Sequence, residues 1–394
     1  MSSSIIPPSR GFASDNYAGV LPEVLSAIIS ANSEGPLVQA HEGAYGGDKI
    51  TEQILSRLIK RHFGVKAVAF PVFNGTAANV ISLLACCPRH SPAIICAESA
   101  HIQCDEGGAP EVTAGLKLHT LKTERDDGKL TPKIVQSAIF DRDSVHRSQP
   151  GCVSISNTTE LGTVYTAAEI KALADIAHEN GMLLHLDGAR ISNAAAALGQ
   201  SFRSFTTDVG VDVVSFGGTK IGAMGAEAII VLNDSLLPAL PFLRKTSMQL
   251  ASKQRFASAQ LCALLEPANK EMIEMNDDDV VIAGIKPCPT PLCVKYALHA
   301  NAMAARLLEG VTLIPTIRLP ELHSSDIRAN AIFPFLPKNV TSRLHKNGWR
   351  FYIWAHTTGQ VRFMCSWDTQ ESDVTSLLLA LKDEMKKEEG ITIN

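Results

Sequence analysis

Three features that would direct the interpretation elsewhere are missing from this 394-residue sequence. It has no dense run of lysine and arginine, and 36 basic against 40 acidic residues leave a net charge of −4, so nucleic acid is not an expected partner. No apolar run approaches the length of a membrane span. Residues 1–12 lack both the apolar stretch of a secretory signal and the arginine-rich helix of a transit peptide. We therefore expect a soluble, cytoplasmic protein without a membrane partner.

Cysteine is present but forms no pattern. Of the nine cysteines, Cys86 and Cys87 are adjacent, and none has the paired CxxC spacing that zinc sites use. An odd, scattered set is typical of proteins in a reducing compartment. We expect such a compartment and no metal site.

The apolar content, 45% of the residues, is enough for a large core and a second, smaller domain. After an arm marked by proline and glycine over residues 1–48, short runs of Val, Ile and Ala alternate with helix-like segments, as in βαβ units. We predict strands at residues 67–73, 93–97, 116–121, 152–157, 182–187 and 211–216. Most are apolar throughout, which favours a mainly parallel sheet covered on both faces. The pattern predicts an α/β large domain over residues 49–265.

The pattern changes after this large domain. A helix is predicted over residues 294–308, followed by short strands around 331–335 and 360–364. We therefore predict a separate, smaller α+β domain over residues 266–394.

Functional groups collect beyond the carboxyl ends of parallel strands, and Asp187 lies at such a position in residues 183–190 (LLHLDGAR). A carboxylate there is suited to pair with a cationic ring nitrogen. The alternative is that Asp187 caps the helix that follows.

The next βα unit, residues 211–220 (VDVVSFGGTK), runs through a Gly-Gly turn to Lys220. The small residues would allow a bulky group to approach the backbone. A solvated surface lysine is the alternative. The GxxxxGK[ST] spacing of a nucleoside-triphosphate loop is absent, so that kind of site is not expected.

The third segment, residues 73–79 (FNGTAAN), is a strand end followed by a turn and an apolar helix. Backbone N–H groups around Asn74 and Gly75, with the Thr76 hydroxyl, are suited to bind a phosphate, although a simple helix cap is the alternative. Together the three segments supply an amine for an aldehyde, a carboxylate for a pyridinium and a phosphate cup. They therefore predict a pyridoxal-phosphate (PLP) enzyme in which Lys220 holds PLP as a Schiff base and Asp187 keeps its ring nitrogen protonated.

These residues resemble the low-specificity L-threonine aldolases and the closely related phenylserine aldolases, which are PLP enzymes of fold type I. The resemblance extends over most of the chain. The matching stretches are residues 14–19 (SDNYAG), 45–48 (YGGD), 73–79, 105–111 (DEGGAPE), 183–190, 211–220, 250–256 (LASKQRF) and 362–368 (RFMCSWD).

The resemblance implies the remaining site residues. His101 would stack on the cofactor ring, with Arg190 beside it. Ser14, Arg190 and Arg362 would hold the substrate carboxylate, with Tyr45 also contacting the substrate. Arg255 would approach the phosphate, from the same or a neighbouring subunit. The resemblance further implies a homodimer or homotetramer with shared active sites.

The chain also departs from the family pattern. Ala13 stands where many bacterial relatives have arginine, and Thr159 where they have histidine. Residues 32–41 and 277–291 form longer segments than in close relatives. These differences bear on the general base and on the substrate range.

The resemblance implies retro-aldol cleavage of a β-hydroxy-α-amino acid, with His101 or a water it orders as the base. L-Threonine and L-allo-threonine are the leading substrates, which would yield glycine and acetaldehyde. Phenylserine cleavage is one alternative, and transamination or β-elimination on the same scaffold is another.

Overall fold

A computed structural model of the chain describes residues 7, 10–33, 45, 50–87, 92–125, 127–140, 144–268, 290–321, 326–388 and 390. Its strands are β1 (Val68–Val72), β2 (Pro92–Ala97), β3 (Lys117–Leu121), β4 (Gln149–Ser156), β5 (Leu183–Gly188), β6 (Val213–Phe216), β7 (Glu227–Val231), β8 (Ala331–Ile332), β9 (Tyr352–Ala355) and β10 (Gln360–Met364). Its helices are α1 (Pro22–Ser33), α2 (Ser56–Phe63), α3 (Gly75–Cys86), α4 (His101–Cys104), α5 (Ala109–Ala114), α6 (Pro132–Ala138), α7 (Ala167–Glu179), α8 (Ile191–Leu198), α9 (Leu240–Thr246), α10 (Arg255–Leu265), α11 (Leu292–Thr312), α12 (Lys338–Lys346) and α13 (Glu371–Glu388).

The large sheet has the strand order β1-β7-β6-β5-β4-β2-β3. The pairs from β6 through β5, β4 and β2 to β3 are all parallel, whereas β7 runs antiparallel to both β1 and β6. This confirms the mainly parallel α/β sheet, and all six predicted strands occur with small shifts at their ends. The sequence pattern did not predict β7, which lies in the sheet between the predicted strands β1 and β6.

Both faces of the large sheet are buried, as its apolar strands require. Along β6, Val213 packs into one core cluster and the next residue, Val214, into another. Ile229 and Ile230 of β7 divide between the same two clusters. Helices therefore cover both faces, and the carboxyl ends of the parallel strands are left as the edge where side chains meet a cavity.

A second, antiparallel sheet with the order β8-β10-β9 lies in the C-terminal part. Its core forms a cluster of its own with residues of α11, α12 and α13. Phe12 of the N-terminal segment joins that cluster, and its N–H donates to the Arg350 carbonyl at 2.7 Å. The predicted division at residues 48 and 265 stays a prediction, although the separate core agrees with a smaller C-terminal domain.

None of the helices within the described ranges is both long and apolar enough to cross a bilayer. Most of residues 32–41 and of residues 277–291, the two segments predicted to be longer than in relatives, lie outside the described residues.

Candidate active site

A cavity of about 670 Å³ opens at the carboxyl ends of the parallel strands. Loops after β2, β4, β5 and β6 form its base, and the N-terminal segment and the small sheet form its other walls. Five of the predicted site residues meet there: Ser14, His101, Arg190, Lys220 and Arg362. The other lining residues are Asn16, Ser99, Cys104, Asp105, Glu160, Leu161, Tyr352, Ile353 and Trp354.

Lys220 reaches the cavity because Gly217 and Gly218, which follow β6, lie directly against the backbone of neighbouring segments. A Cβ atom on Gly217 would lie 2.3 Å from the Ala189 carbonyl oxygen, and one on Gly218 would lie 2.2 Å from the Ala226 carbonyl oxygen. Real Cβ atoms do not approach that closely, so both positions require glycine. The Gly-Gly turn noted in the sequence is therefore needed to place Lys220.

This close approach makes a testable prediction. Gly218→Ala should lower the free energy of unfolding by about 1–3 kcal/mol, the usual cost of overpacking, because backbone rather than a flexible side chain must move. Urea unfolding measures this difference. Gly19→Ala is the matched control, since a Cβ there meets nothing within 4 Å. Equal stability of the two variants would contradict the prediction.

Glu227 holds the same turn from the neighbouring strand. Its Oε2 accepts from the Gly218 N–H at 2.7 Å, and its Oε1 accepts from the Thr219 N–H at 3.3 Å. Burial raises the pKa of Glu227. For Lys220, burial and the nearby Arg190 guanidinium lower the pKa, which favours the neutral amine that attacks an aldehyde.

Asp187 ends β5 and is 6% exposed. Its Oδ2 accepts from Asn79 Nδ2 at 2.8 Å, and its Oδ1 accepts from the Ala189 N–H at 2.9 Å. Burial opposes ionisation of this carboxyl, but the charge of Lys220 and the Ala189 N–H outweigh it and hold the pKa of Asp187 below its usual range. A buried, ionised carboxylate is what a protonated ring nitrogen needs as its partner.

His101 is connected to Asp187 through a buried chain of hydrogen bonds. Its Nδ1 lies 3.0 Å from Glu106 Oε1, which also accepts from Asn79 Nδ2 at 2.8 Å. The hydrogen bond to Glu106 raises the pKa of His101 despite partial burial. The ring is therefore held in a fixed orientation at the cavity wall, and its stacking on the cofactor stays a prediction.

Arg190 is paired with a residue to which the sequence analysis gave no role. Its Nε and Nη2 donate to the two carboxylate oxygens of Asp15, at 2.6 and 2.9 Å. Asn330 Nδ2 also donates to Asp15, at 3.2 Å. The side chains of Arg190 and Asp15 are only 13% and 3% exposed. Asp15 thus fixes Arg190 at the cavity and connects the N-terminal segment to the C-terminal part.

Arg362 lies on the small sheet and points into the same cavity. Its Nη2 donates to the Ala13 carbonyl at 2.8 Å, and its guanidinium lies over the rings of Tyr352 and Trp354, at 4.9 and 5.2 Å from their centroids. Burial, with the charge of Arg190, lowers the pKa of Arg362 to about 10. Two arginines facing one cavity, beside the buried Ser14, are suited to bind a carboxylate.

The phosphate turn has the geometry of a helix cap. Asn74 Oδ1 accepts from the Ala77 N–H at 2.8 Å, as an N-cap side chain does. Asn74, Gly75 and Thr76 do not line the cavity described above. Asn79, one turn farther along the same helix, is bonded to Asp187, so the helix start lies near the ring-nitrogen carboxylate. The phosphate role of these three residues stays a prediction.

Arg255 and Tyr45 are not brought to the cavity within this chain. Arg255 Nε donates to the Ala31 carbonyl at 3.4 Å, and its guanidinium lies 4.8 Å from the Phe256 ring centroid. Tyr45 is 42% exposed and has the Lys245 ammonium 5.7 Å from its ring centroid. Their predicted contacts with phosphate and substrate therefore stay predictions.

Sequence reasoning missed Asp15, Glu106, Glu227 and Glu160. Asp15 and Glu106 lie in stretches that match the family pattern but had no assigned role. Glu160 carried a signal of its own, because it follows the carboxyl end of β4 much as Lys220 follows that of β6. Thr159, which stands where many relatives have histidine, bonds inward: its Oγ1 donates to the Asp127 carbonyl at 3.0 Å. The next residue of that loop, Glu160, lines the cavity instead.

The residues at this edge of the sheet fit PLP. A lysine with a lowered pKa, a buried ionised carboxylate and cations for an amino-acid carboxylate are the donor set that PLP chemistry requires. Among the described residues, no group of three or more His, Cys, Asp or Glu side chains is placed to hold a metal ion.

The chain is similar to known PLP-dependent lyases in both sequence and fold. Residues 11–331 match the family model described as beta-eliminating lyase. A Leishmania major structure titled threonine aldolase superposes with a TM-score of 0.78, at 28% identity over 94% of this chain and 98% of that one. An Oryza sativa structure with PLP and tryptamine, 14% identical, superposes with a TM-score of 0.70 over 98% of this chain and 85% of that chain, and shows the fold alone. Fold and site thus define a PLP-dependent carbon–carbon lyase of fold type I.

Two curated relatives match almost end to end. The low specificity L-threonine aldolase of Pseudomonas sp. is 37% identical over 96% of this chain and 98% of its own length. That of Pseudomonas aeruginosa is 38% identical over 94% and 96%. The chain belongs to the low specificity L-threonine aldolase family.

Proposed function

We propose that this protein cleaves L-threonine, L-allo-threonine and related β-hydroxy-α-amino acids to glycine and an aldehyde. The observation that carries the proposal is the convergence of Lys220 and the carboxylate-binding set Ser14, Arg190 and Arg362 on one cavity. Membership of the threonine aldolase family supports the same activity.

Bound PLP supplies an electron-accepting ring that stabilises negative charge at the substrate Cα. Lys220 would hold it through its aldehyde, and Asp187 would keep its ring nitrogen protonated. Asn74, Gly75 and Thr76 would contact its phosphate. His101, fixed by Glu106, would lie against the ring.

Arg190 and Arg362 would orient the substrate by its carboxylate. Arg190 is held by Asp15, and Arg362 by the Ala13 carbonyl, so neither guanidinium is free to turn away. Ser14, which lines the same cavity, adds a hydroxyl. A carboxylate fixed in this way determines which bond of Cα stands perpendicular to the ring, and thus which bond is cleaved.

We further propose a cytoplasmic homodimer or homotetramer with shared active sites. Large apolar side chains on the surface of the single chain support an assembly: Tyr17 is 66% exposed, Phe242 74% and Met248 80%. An arm over residues 1–48, a large domain over 49–265 and a small domain over 266–394 remain the proposed division.

A phenylserine aldolase is the second candidate. The cavity wall contributed by Leu161, Tyr352 and Trp354 is larger and more aromatic than a methyl substituent requires, which favours acceptance of an aryl group at Cβ.

The test of the function is direct. PLP-loaded protein incubated with L-threonine should release glycine and acetaldehyde in equal amounts, followed by amino-acid analysis and an aldehyde-reducing coupled assay. Phenylserine, in a parallel reaction, should release benzaldehyde if the aromatic wall accepts it. Release of ammonia and a keto acid, or a requirement for an added keto acid, would instead identify a β-eliminating lyase or an aminotransferase.

A further inference from the structure

Glu160 is a carboxylate at the cavity that the cofactor and substrate assignments leave without a role. It follows β4 in the chain and lines the cavity together with His101 and Lys220. Its Oε1 accepts from the His101 backbone N–H at 2.9 Å and from the Ser156 hydroxyl at 2.7 Å. Both hydrogen bonds go to Oε1, so they fix the carboxylate in position without involving Oε2.

We propose that Glu160 is the general base of this site and takes the proton from the Cβ hydroxyl of the substrate as the Cα–Cβ bond breaks. This inference rests on the proposed aldolase function. The O–H electron pair becomes the second bond of the aldehyde carbonyl, and the Cα–Cβ pair stays with Cα. Water in the cavity then supplies one proton to Cα to give glycine, and Glu160 returns the proton it took to that water, so the number of protons balances. No oxidant or reductant is consumed.

Three other titratable groups at or next to the cavity suit this task less well: His101, Asp105 and Asp15, the last of which lies between the lining residues Ser14 and Asn16. The imidazole of His101 is bonded to Glu106, which raises its pKa and favours the protonated form, and that form cannot accept a proton. Asp15 is paired with Arg190. Asp105, which also lines the cavity, is exposed to solvent and lacks the two fixing bonds that Glu160 has.

The surroundings of Glu160 make it a stronger base than a free carboxylate. Burial raises its pKa, and the negative charge of Asp187 adds to that effect, while the Ser156 hydroxyl opposes it. A base whose pKa lies closer to the working pH transfers protons more efficiently. The ionisable groups around it lie on the large sheet and on the loops and short helix that follow its strands: Cys96, His101, Cys104, Tyr165, Asp187 and Arg190.

Glu160→Gln separates charge from shape, because the Gln carbonyl oxygen still accepts from the His101 N–H and from Ser156. We expect kcat for L-threonine cleavage to fall by about 10²–10⁴-fold, the usual contribution of a general base. The variant should still bind PLP with the wild-type visible spectrum. It should also still exchange the Cα proton of glycine with D₂O, because glycine has no hydroxyl to deprotonate.

The pH dependence gives a second readout. If Glu160 must be ionised, kcat/KM of the wild type falls as the pH drops through its raised pKa, and Glu160→Gln loses that acid limb. In apo-protein carrying ¹³C-carboxyl glutamate, NMR should show a resonance that titrates above the ordinary glutamate range. That resonance should be absent from Glu160→Gln, whatever the activity of either protein.

Glu98→Gln is the matched control, since Glu98 is an exposed carboxylate between β2 and α4 and does not line the cavity. It should cleave L-threonine like the wild type. Glu160→Asp serves if the Gln variant does not fold, and should retain the acid limb with a reduced kcat. If the wild-type protein releases no glycine and no aldehyde from either L-threonine or phenylserine, the aldolase function itself is rejected. Wild-type cleavage together with an unimpaired Glu160→Gln, or a loss of glycine exchange equal to the loss of cleavage, would overturn the role of Glu160.

Discussion

Lys220→Ala is expected to abolish covalent retention of PLP and to lower turnover of L-threonine by about a thousand-fold or more, the scale of loss seen when a covalent catalytic residue is removed. The physical reason is that no other lysine lines the cavity among the described residues, so no second amine is placed to take over its aldehyde. The lowered pKa of Lys220 also cannot be reproduced by a surface lysine, because it arises from burial and from Arg190. The measurements are the visible absorbance of dialysed protein and a single-turnover cleavage assay.

The control for this variant is Lys171→Ala. Lys171 is 59% exposed on α7 and pairs with Asp175 one turn away at 2.8 Å. An exposed pair of this kind contributes little to stability, and neither Lys171 nor Asp175 lines the cavity. The control should keep both colour and activity. Normal cleavage by Lys220→Ala would reject the assignment of Lys220 and with it the proposed mechanism.

The parts of the fold that local physics determines were predicted from the sequence. Helix α7 carries such local signals at both of its ends: Thr166 and Glu169 form a capping box at its start, and Gly181, with a φ of +62°, follows its end. The buried parallel strands were predicted equally well because they are continuous apolar runs. Strand β7 was missed although it is an apolar run like the others, because it follows β6 without an intervening α-helix and so breaks the alternation of strand and helix. Strand β9 was missed because it is only four residues long and gives little periodic signal.

The candidate site likewise contains residues that could be predicted from the sequence and residues that could not. Asp187 and Lys220 were predicted because each follows a recognisable strand, and the structure brings Lys220 to the cavity and links Asp187 to its wall. Asp15 could not be assigned a role, because its partner Arg190 is 175 residues away and the pair exists only once the N-terminal segment packs on the sheet. The same holds for Glu227, whose function is to accept hydrogen bonds from backbone in a neighbouring loop.

The buried pair between Asp15 and Arg190 is expected to contribute strongly to stability, and the exposed residue Asp208 provides the control for removing it. Asp208 pairs with Arg203 at 2.8 Å, but both side chains are 47% exposed. Asp208→Ala should therefore cost only about 0.2–1 kcal/mol of unfolding free energy.

Asp15→Ala should cost about 3–5 kcal/mol, because it leaves the buried Arg190 guanidinium without its counter-ion. Burial disfavours the ionised form of Asp15, but the Arg190 guanidinium outweighs this effect and holds the pKa of Asp15 below its ordinary value of 3.8. The stability from this shift is present above pH 3.8 and is lost as the pH falls through the lower, folded-state pKa. Urea unfolding at neutral and acidic pH should therefore show a difference between wild type and Asp15→Ala that shrinks in acid.

The Asp15→Ala variant should also have a higher KM for L-threonine, since an Arg190 that is no longer held by Asp15 does not orient the substrate carboxylate. A loss of stability no larger than that of Asp208→Ala would show that Arg190 finds another partner and that Asp15 does not position it.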